Sequence, residues 1–154
     1  MDQTQQIEEL KQLVAHYEKV IKNMSAPIIP SIVPNTILVP IAGFVFPERF
    51  ETIRTKVLEH AEKNRETARV IFDFTGVRME DVETFDYNVL ATELTQLNNA
   101  LKLMGLRAIY VGFNPRFVRE IVHAGIHVEL EVFNTFRAAL QTLLDESAKS
   151  LTKY

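Results

Sequence analysis

Apolar residues at Ile7, Leu10, Val14, Tyr17, Ile21 and Met24 recur at spacings of three and four, with Glu8, Glu9, Lys11, Glu18, Lys19 and Lys22 between them. This spacing predicts an amphipathic helix with an a/d seam of about two and a half heptads. A lone helix of that length is marginal in water, so its stripe needs a cover. Two covers are open: a parallel homodimer seam, or the helix's own domain. The six uninterrupted positions favour the dimer. Ser25-Ala26-Pro27 ends the helix, because proline disfavours the αR conformation at the residue before it. Charged composition gives way to apolar composition here, which places a boundary near Met24.

Beyond the boundary the period changes. Ile28-Ile29 and Ile32-Val33 predict a first short strand, interrupted by Pro30 as suits a sheet edge. After the Pro34-Asn35 turn, Thr36 to Ala42 predicts a second strand, ending at Gly43. Pro47 fits the first turn of a helix, whose inner face is Phe50, Ile53, Val57 and Ala61, up to about Asn64. Ala68 to Phe74 predicts a buried strand. Tyr87, Leu90, Leu94, Leu97, Leu101 and Met104 predict a long helix stopped by Gly105. Leu106 to Val111 predicts another strand, and Asn114-Pro115 starts a short helix through Val122, closed by Gly125. Val128 to Val132 predicts a last strand. Asn134 then caps a helix through about Leu144, with Phe136, Leu140 and Leu143 inward, and a polar stretch from Glu146 that frays. The order is one helix and then ββαβαβαβα. Alternating strands and helices predict an α/β layer architecture with a helix-covered sheet. The domain reading is a helical dimerisation or linker segment over 1–24, one domain over 25–147 and a tail over 148–154.

Composition narrows the chemistry. The chain has 154 residues, 47% of them apolar, enough for one domain with a real core plus an appendage. A net charge of −3 and the lack of a basic stripe argue against nucleic-acid binding. With no cysteine, no basic-then-apolar leader and no apolar run near the ~18 residues of a membrane span, a cytoplasmic protein off the membrane is expected. There is no phosphate-cradling glycine motif. His16, His60, His123 and His127 offer no metal-ligand spacing: Gly125 breaks the helix between the last two. No serine lies in a nucleophile elbow. Neither catalytic residues, nor a cofactor, nor a metal is expected. Asp73 ends a buried strand as a receiver-domain phosphoacceptor would. The first-strand end Ile41-Ala42-Gly43 lacks the acidic pair such a site needs, so Asp73 is read as satisfying turn amides. Asp81 or Thr84 is the expected N-cap of the long helix, where acids suit the helix dipole.

Four segments, in order, carry a resemblance: Met24-Ser25-Ala26-Pro27-Ile28-Ile29-Pro30, Asp73-Phe74-Thr75-Gly76-Val77, Leu101 to Ala108, and Gly112-Phe113-Asn114-Pro115 with Gly125-Ile126 beyond. Each is short; their order over Ser25 to Leu144 makes the chain resemble STAS domains of the anti-sigma-factor-antagonist family, of the stressosome RsbR type. The resemblance implies a STAS (SpoIIAA-like) fold, with a mixed, mostly parallel sheet. It implies a non-enzymatic scaffold that binds other STAS-domain proteins (RsbS/RsbR type) and a serine/threonine switch kinase, in control of an alternative sigma factor. Proteins of this type carry acceptor threonines at two places. Here the first falls on Val82, or on Glu83 if the alignment slips by one, and the second on Glu120. None of these takes phosphate, and Glu120 sets a fixed negative charge where the family adds one. Thr84, two residues late, is a disfavoured acceptor. The implied docking face comprises Glu80, Asp81, Val82, Glu83, Asn114, Arg116, Arg119 and Glu120, with Ile7 to Met24 pairing two copies. With about 24 residues before the domain, signal input is expected from a partner or not at all. Two alternatives stay open: a simple antagonist binding an anti-sigma kinase, and a small-ligand module at the sheet end near Phe44, Phe46 and Phe74.

Overall fold

The computed structural model describes residues 2–24, 26–82 and 86–152, without the side chains of 22, 23 and 150–152. The elements are α1 (Gln3–Met24), β1 (Ile29–Pro30), β2 (Thr36–Ala42), α2 (Pro47–Lys63), β3 (Arg69–Gly76), a 3₁₀ turn (Met79–Asp81), α3 (Tyr87–Leu103), β4 (Arg107–Val111), α4 (Pro115–His123), β5 (Glu131–Phe133) and α5 (Phe136–Thr152). The sheet runs β1-β2-β3-β4-β5. β1 is antiparallel to β2, and every other pairing is parallel.

The pleat of β3 explains the two cores. Val70, Phe72 and Phe74 face one side, with Ile37, Val39 and Ile41 of β2 and Tyr110 of β4, and pack under Phe50, Ile53 and Val57 of α2 and Leu90, Leu94, Leu97 and Leu101 of α3. Ile71 faces the other side, with Ile109 and Val111, under Ala139 and Leu143 of α5. A strand buried on both faces is a continuous apolar run, which is how Val70 to Phe72 reads. α1 stands apart from these cores: all its described side chains are exposed.

Several boundaries differ from expectation. The first strand shrinks to Ile29–Pro30, since only Ile29↔Leu38 and Pro30↔Ile37 pair. The last strand is Glu131–Phe133, set by the reach of its partner residues Ile109 to Val111. α3 is capped by neither Asp81 nor Thr84: Asp86 accepts from the Asn88 amide at 2.7 Å, and Thr84 lies outside the described residues. α5 is capped by Thr135 rather than Asn134, through the Ala138 amide at 3.1 Å. It also runs on to Thr152, well past Leu144. A tertiary ion pair explains the extension. Arg107 of β4 holds Glu131 of β5 (Nε to Oε2, 2.9 Å) and Glu146 of α5 (Nη1 to Oε2, 2.8 Å), anchoring a stretch that reads as polar tail.

Candidate docking face

Because β2, β3 and β4 are parallel, their carboxyl ends and the amino ends of α2, α3 and α4 share one end of the sheet. Three segments cross it: Gly43–Phe46, Val77–Val82 and Gly112–Asn114. The second and third line one cleft, through Val77, Met79 and Val82 on one side and Phe113 on the other, and a run of aromatic rings joins β3, the third segment and the starts of α4 and α3. Phe74 meets Phe113 (4.9 Å between centroids), Phe113 meets Phe117 (5.9 Å), and Phe117 meets Tyr87 at the start of α3 (5.8 Å). Asn114 caps α4 by accepting from the Arg116 amide at 2.9 Å, with Pro115 at the first helical position, as its sequence predicts. Asp73 is occupied as expected, accepting from the Thr75 amide at 2.9 Å and from the Thr75 hydroxyl. Gly112 has φ +75°, and a Cβ there would collide with Thr75 Oγ1. Glycine thus lets the β4 loop close onto the β3 turn.

The expected site residues divide into three groups. Glu80, Arg116 and Arg119 are exposed, and Asn114 and Glu120 are half-buried. Glu80 pairs with Arg78 at 2.6 Å. Asp81 and Val82 correct the expectation of a solvent-facing charge and a surface acceptor position: they are 1% and 4% exposed. Val82 packs in the larger core. The Asp81 carboxylate turns inward and accepts from the Arg78 amide at 2.8 Å. Glu83, like Thr84, lies outside the described residues.

The seam residues Ile7, Leu10, Val14, Tyr17, Ile21 and Met24 are exposed, and so are Leu13 and Val20. The latter two widen the apolar stripe beyond a strict a/d seam, and their spacing of three and four from Leu10 and Tyr17 already marks them in the sequence. The described side chains do not fold back on the domain. α4 has no fully buried residue, and Val118 and Val122 leave an apolar flank beside Ile126 to Val132.

Sequence reasoning missed Arg49. It is 8% exposed, with Nη1 donating to the Ala42 carbonyl (2.5 Å) and the Phe44 carbonyl (2.8 Å). Burial lowers its pKa from the ordinary arginine value, and the Asp81 charge opposes that shift. The available signal was its place four residues before Ile53, on the apolar face of α2. Phe44 and Phe46 do not join Phe74 around a ligand space. Phe74 lines a cleft with Val45, Phe50, Phe113 and Phe117, while Phe44 is 61% exposed. That cleft encloses about 20 Å³, room for about one water. Among the described residues no three His, Asp or Glu side chains gather as metal ligands, and no helix is long and apolar enough to cross a membrane.

No family model matches the chain. It is 27% identical over 132 residues to the RsbT co-antagonist protein RsbRA of Bacillus subtilis (strain 168), covering 85% of this chain and 45% of that protein. The chain thus spans less than half the length of this relative. In three dimensions it is similar to an RsbS variant of Moorella thermoacetica, with a TM-score of 0.59 and 14% identity, covering 80% of this chain and 97% of that one. It is also similar to a chain of the stressosome, described as a signal integration and transduction hub, with a TM-score of 0.51 and 16% identity over 79% of this chain and 98% of that one. These structural likenesses carry the fold, and the relative's sequence carries the type. The chain thus has the STAS (SpoIIAA-like) fold, and its sequence is similar to co-antagonist proteins of the RsbR type.

Proposed function

We propose that this chain is a non-catalytic signalling scaffold of the stressosome kind, binding other STAS-domain proteins and a serine/threonine switch kinase in control of an alternative sigma factor. One observation carries the reading. The two segments where the family's switch positions fall, Glu80–Val82 and Asn114–Glu120, meet at one sheet end, where Val82 lines one cleft with Asn114 and Phe117. A partner bound at this end touches both at once, and their charges steer its choice and approach. Val82 and Glu120 offer no hydroxyl, so the switch is fixed and the chain binds its assembly constitutively. α1 pairs two copies and sets their spacing.

The test mixes the purified chain with a small STAS antagonist of the RsbS type and measures mass by light scattering. A species much larger than either component alone is expected. The two proteins passing each other unchanged overturns the scaffold reading, as does a pull-down in which the chain brings down only a kinase, as a compact one-to-one complex. Incubation with the switch kinase and ATP leaves the chain unlabelled. Stoichiometric phosphate on a residue of Glu80 to Thr84 ends the fixed-switch reading.

A further inference from the structure

The loop after β2 presents an aromatic side chain to solvent while its backbone is held by three residues, Gly76, Asp81 and Arg49. Gly43, at φ +75°, turns the chain out of β2, and its amide donates to the Gly76 carbonyl at 3.4 Å. Val45 is buried, and its amide donates to the Asp81 carbonyl at 3.4 Å. Arg49 holds the carbonyls of Ala42 and Phe44 from beneath. Phe44 is left outside, 61% exposed, at the same end of the sheet as Glu80 and Asn114. A buried arginine is costly to desolvate, and that cost is offset by carbonyl acceptors and a buried carboxylate. The Asp81 carboxylate, 1% exposed and held by the Arg78 amide and guanidinium, acts on Arg49 through its charge, and the same residue's carbonyl receives the loop.

We propose that Phe44 is a contact residue of the docking face for another STAS-domain protein, and that Arg49 and Asp81 are positioning residues that hold its loop and the Val77–Val82 segment as one preformed unit. The proposal rests on the docking reading above and extends its surface to the β2 loop. Two features favour a protein contact. An aromatic side chain on a backbone already held brings large contact area with little further ordering of the loop, and aromatic residues contribute heavily to interfaces. The face is continuous, since Val45, beside Phe44, lines the same cleft as Phe113 and Phe117.

The test has two arms. In the first, Phe44→Ala is compared with the unaltered chain for binding to an RsbS-type antagonist and for thermal unfolding. An exposed side chain adds little to folding, so the midpoint stays put while affinity falls about tenfold or more. Unchanged affinity removes Phe44 from the face. In the second arm, Arg49→Met alone takes one of two nearby cations from the buried Asp81, leaving it Arg78, and risks unfolding. The informative variant is therefore Arg49→Met with Asp81→Leu, which removes both charges. Its midpoint stays near that of the unaltered chain, amide exchange speeds up at Val45 and through Val77–Val82 together, and binding weakens. Unchanged exchange in either segment, or unchanged binding, overturns the positioning role. Should the double variant not fold, Arg49→Lys, which keeps the charge on a shorter side chain, is read by the same exchange and binding criteria. If the unaltered chain binds no STAS partner, the docking reading and the role of Phe44 fall together, and the exchange measurement still decides whether Arg49 and Asp81 couple the two segments.

Discussion

Single residues set both ends of this sheet, by opposite means. At the docking end Arg49 is sealed from water. At the far end Arg107 lies near the surface and serves two carboxylates, on β5 and α5. Hydrogen bonding to Arg107 holds the Glu146 carboxyl below its ordinary range; burial opposes it, and the charges of Arg107, Arg69 and Lys149 add to the lowering. A carboxyl whose folded pKa is depressed contributes stability above its unfolded value and loses it as pH falls through the folded value. Glu146→Gln is therefore expected to lower the urea midpoint at neutral pH. The gap narrows as pH drops below the ordinary glutamate range and vanishes once the native carboxyl protonates. An ion pair this exposed contributes about 0.2–1 kcal/mol, so the shift at neutral pH is small and its pH dependence is the diagnostic part. A gap that persists unchanged into acid assigns the effect to helix propensity instead.

At the level of elements, α1 and the domain are separate problems. Every described α1 side chain is exposed, so polar substitutions on its stripe act on pairing and leave the domain's folding alone. Leu10→Lys with Tyr17→Lys is expected to reduce the mass in solution from two chains to one. The domain's thermal midpoint should stay where it was. A mass that does not change removes the seam. The order of the elements was legible in the sequence because each of the long ones carries its own period: the Phe50, Ile53, Val57 face of α2, the Leu90 to Leu101 face of α3, and the continuous run of β3. Long-range contacts set what was not legible. The end of α5 depends on Arg107, distant in sequence, pairing with Glu146. The docking face was half-legible for the same reason. Capping signals at Asn114-Pro115 are local and read true. The inward turn of Asp81 rests on the amide of Arg78, and its carboxylate also feels the charge of a buried arginine on α2, which no local pattern announces.

For the whole molecule, the parallel arrangement decides where the proposed docking face sits, since it sends three loops and three helix starts to one end. That end combines an apolar centre, with Phe44 and the Val118–Val122 flank, and a charged rim of Arg78, Glu80, Arg116 and Arg119. The two parts act on different steps of association. Rim charges steer the encounter and are screened by salt, with a screening length of about 10 Å at 0.1 M and about 3 Å at 1 M. Buried apolar contacts hold the complex once formed and are not weakened by simple salts. Raising sodium chloride from about 0.1 M to about 1 M is therefore expected to slow binding to an RsbS-type partner severalfold, with little change in the dissociation rate. Surface plasmon resonance at several salt concentrations separates the two. If salt instead accelerates dissociation and leaves association unchanged, the rim charges are bonded in the complex rather than steering it, and the apolar centre no longer accounts for its lifetime.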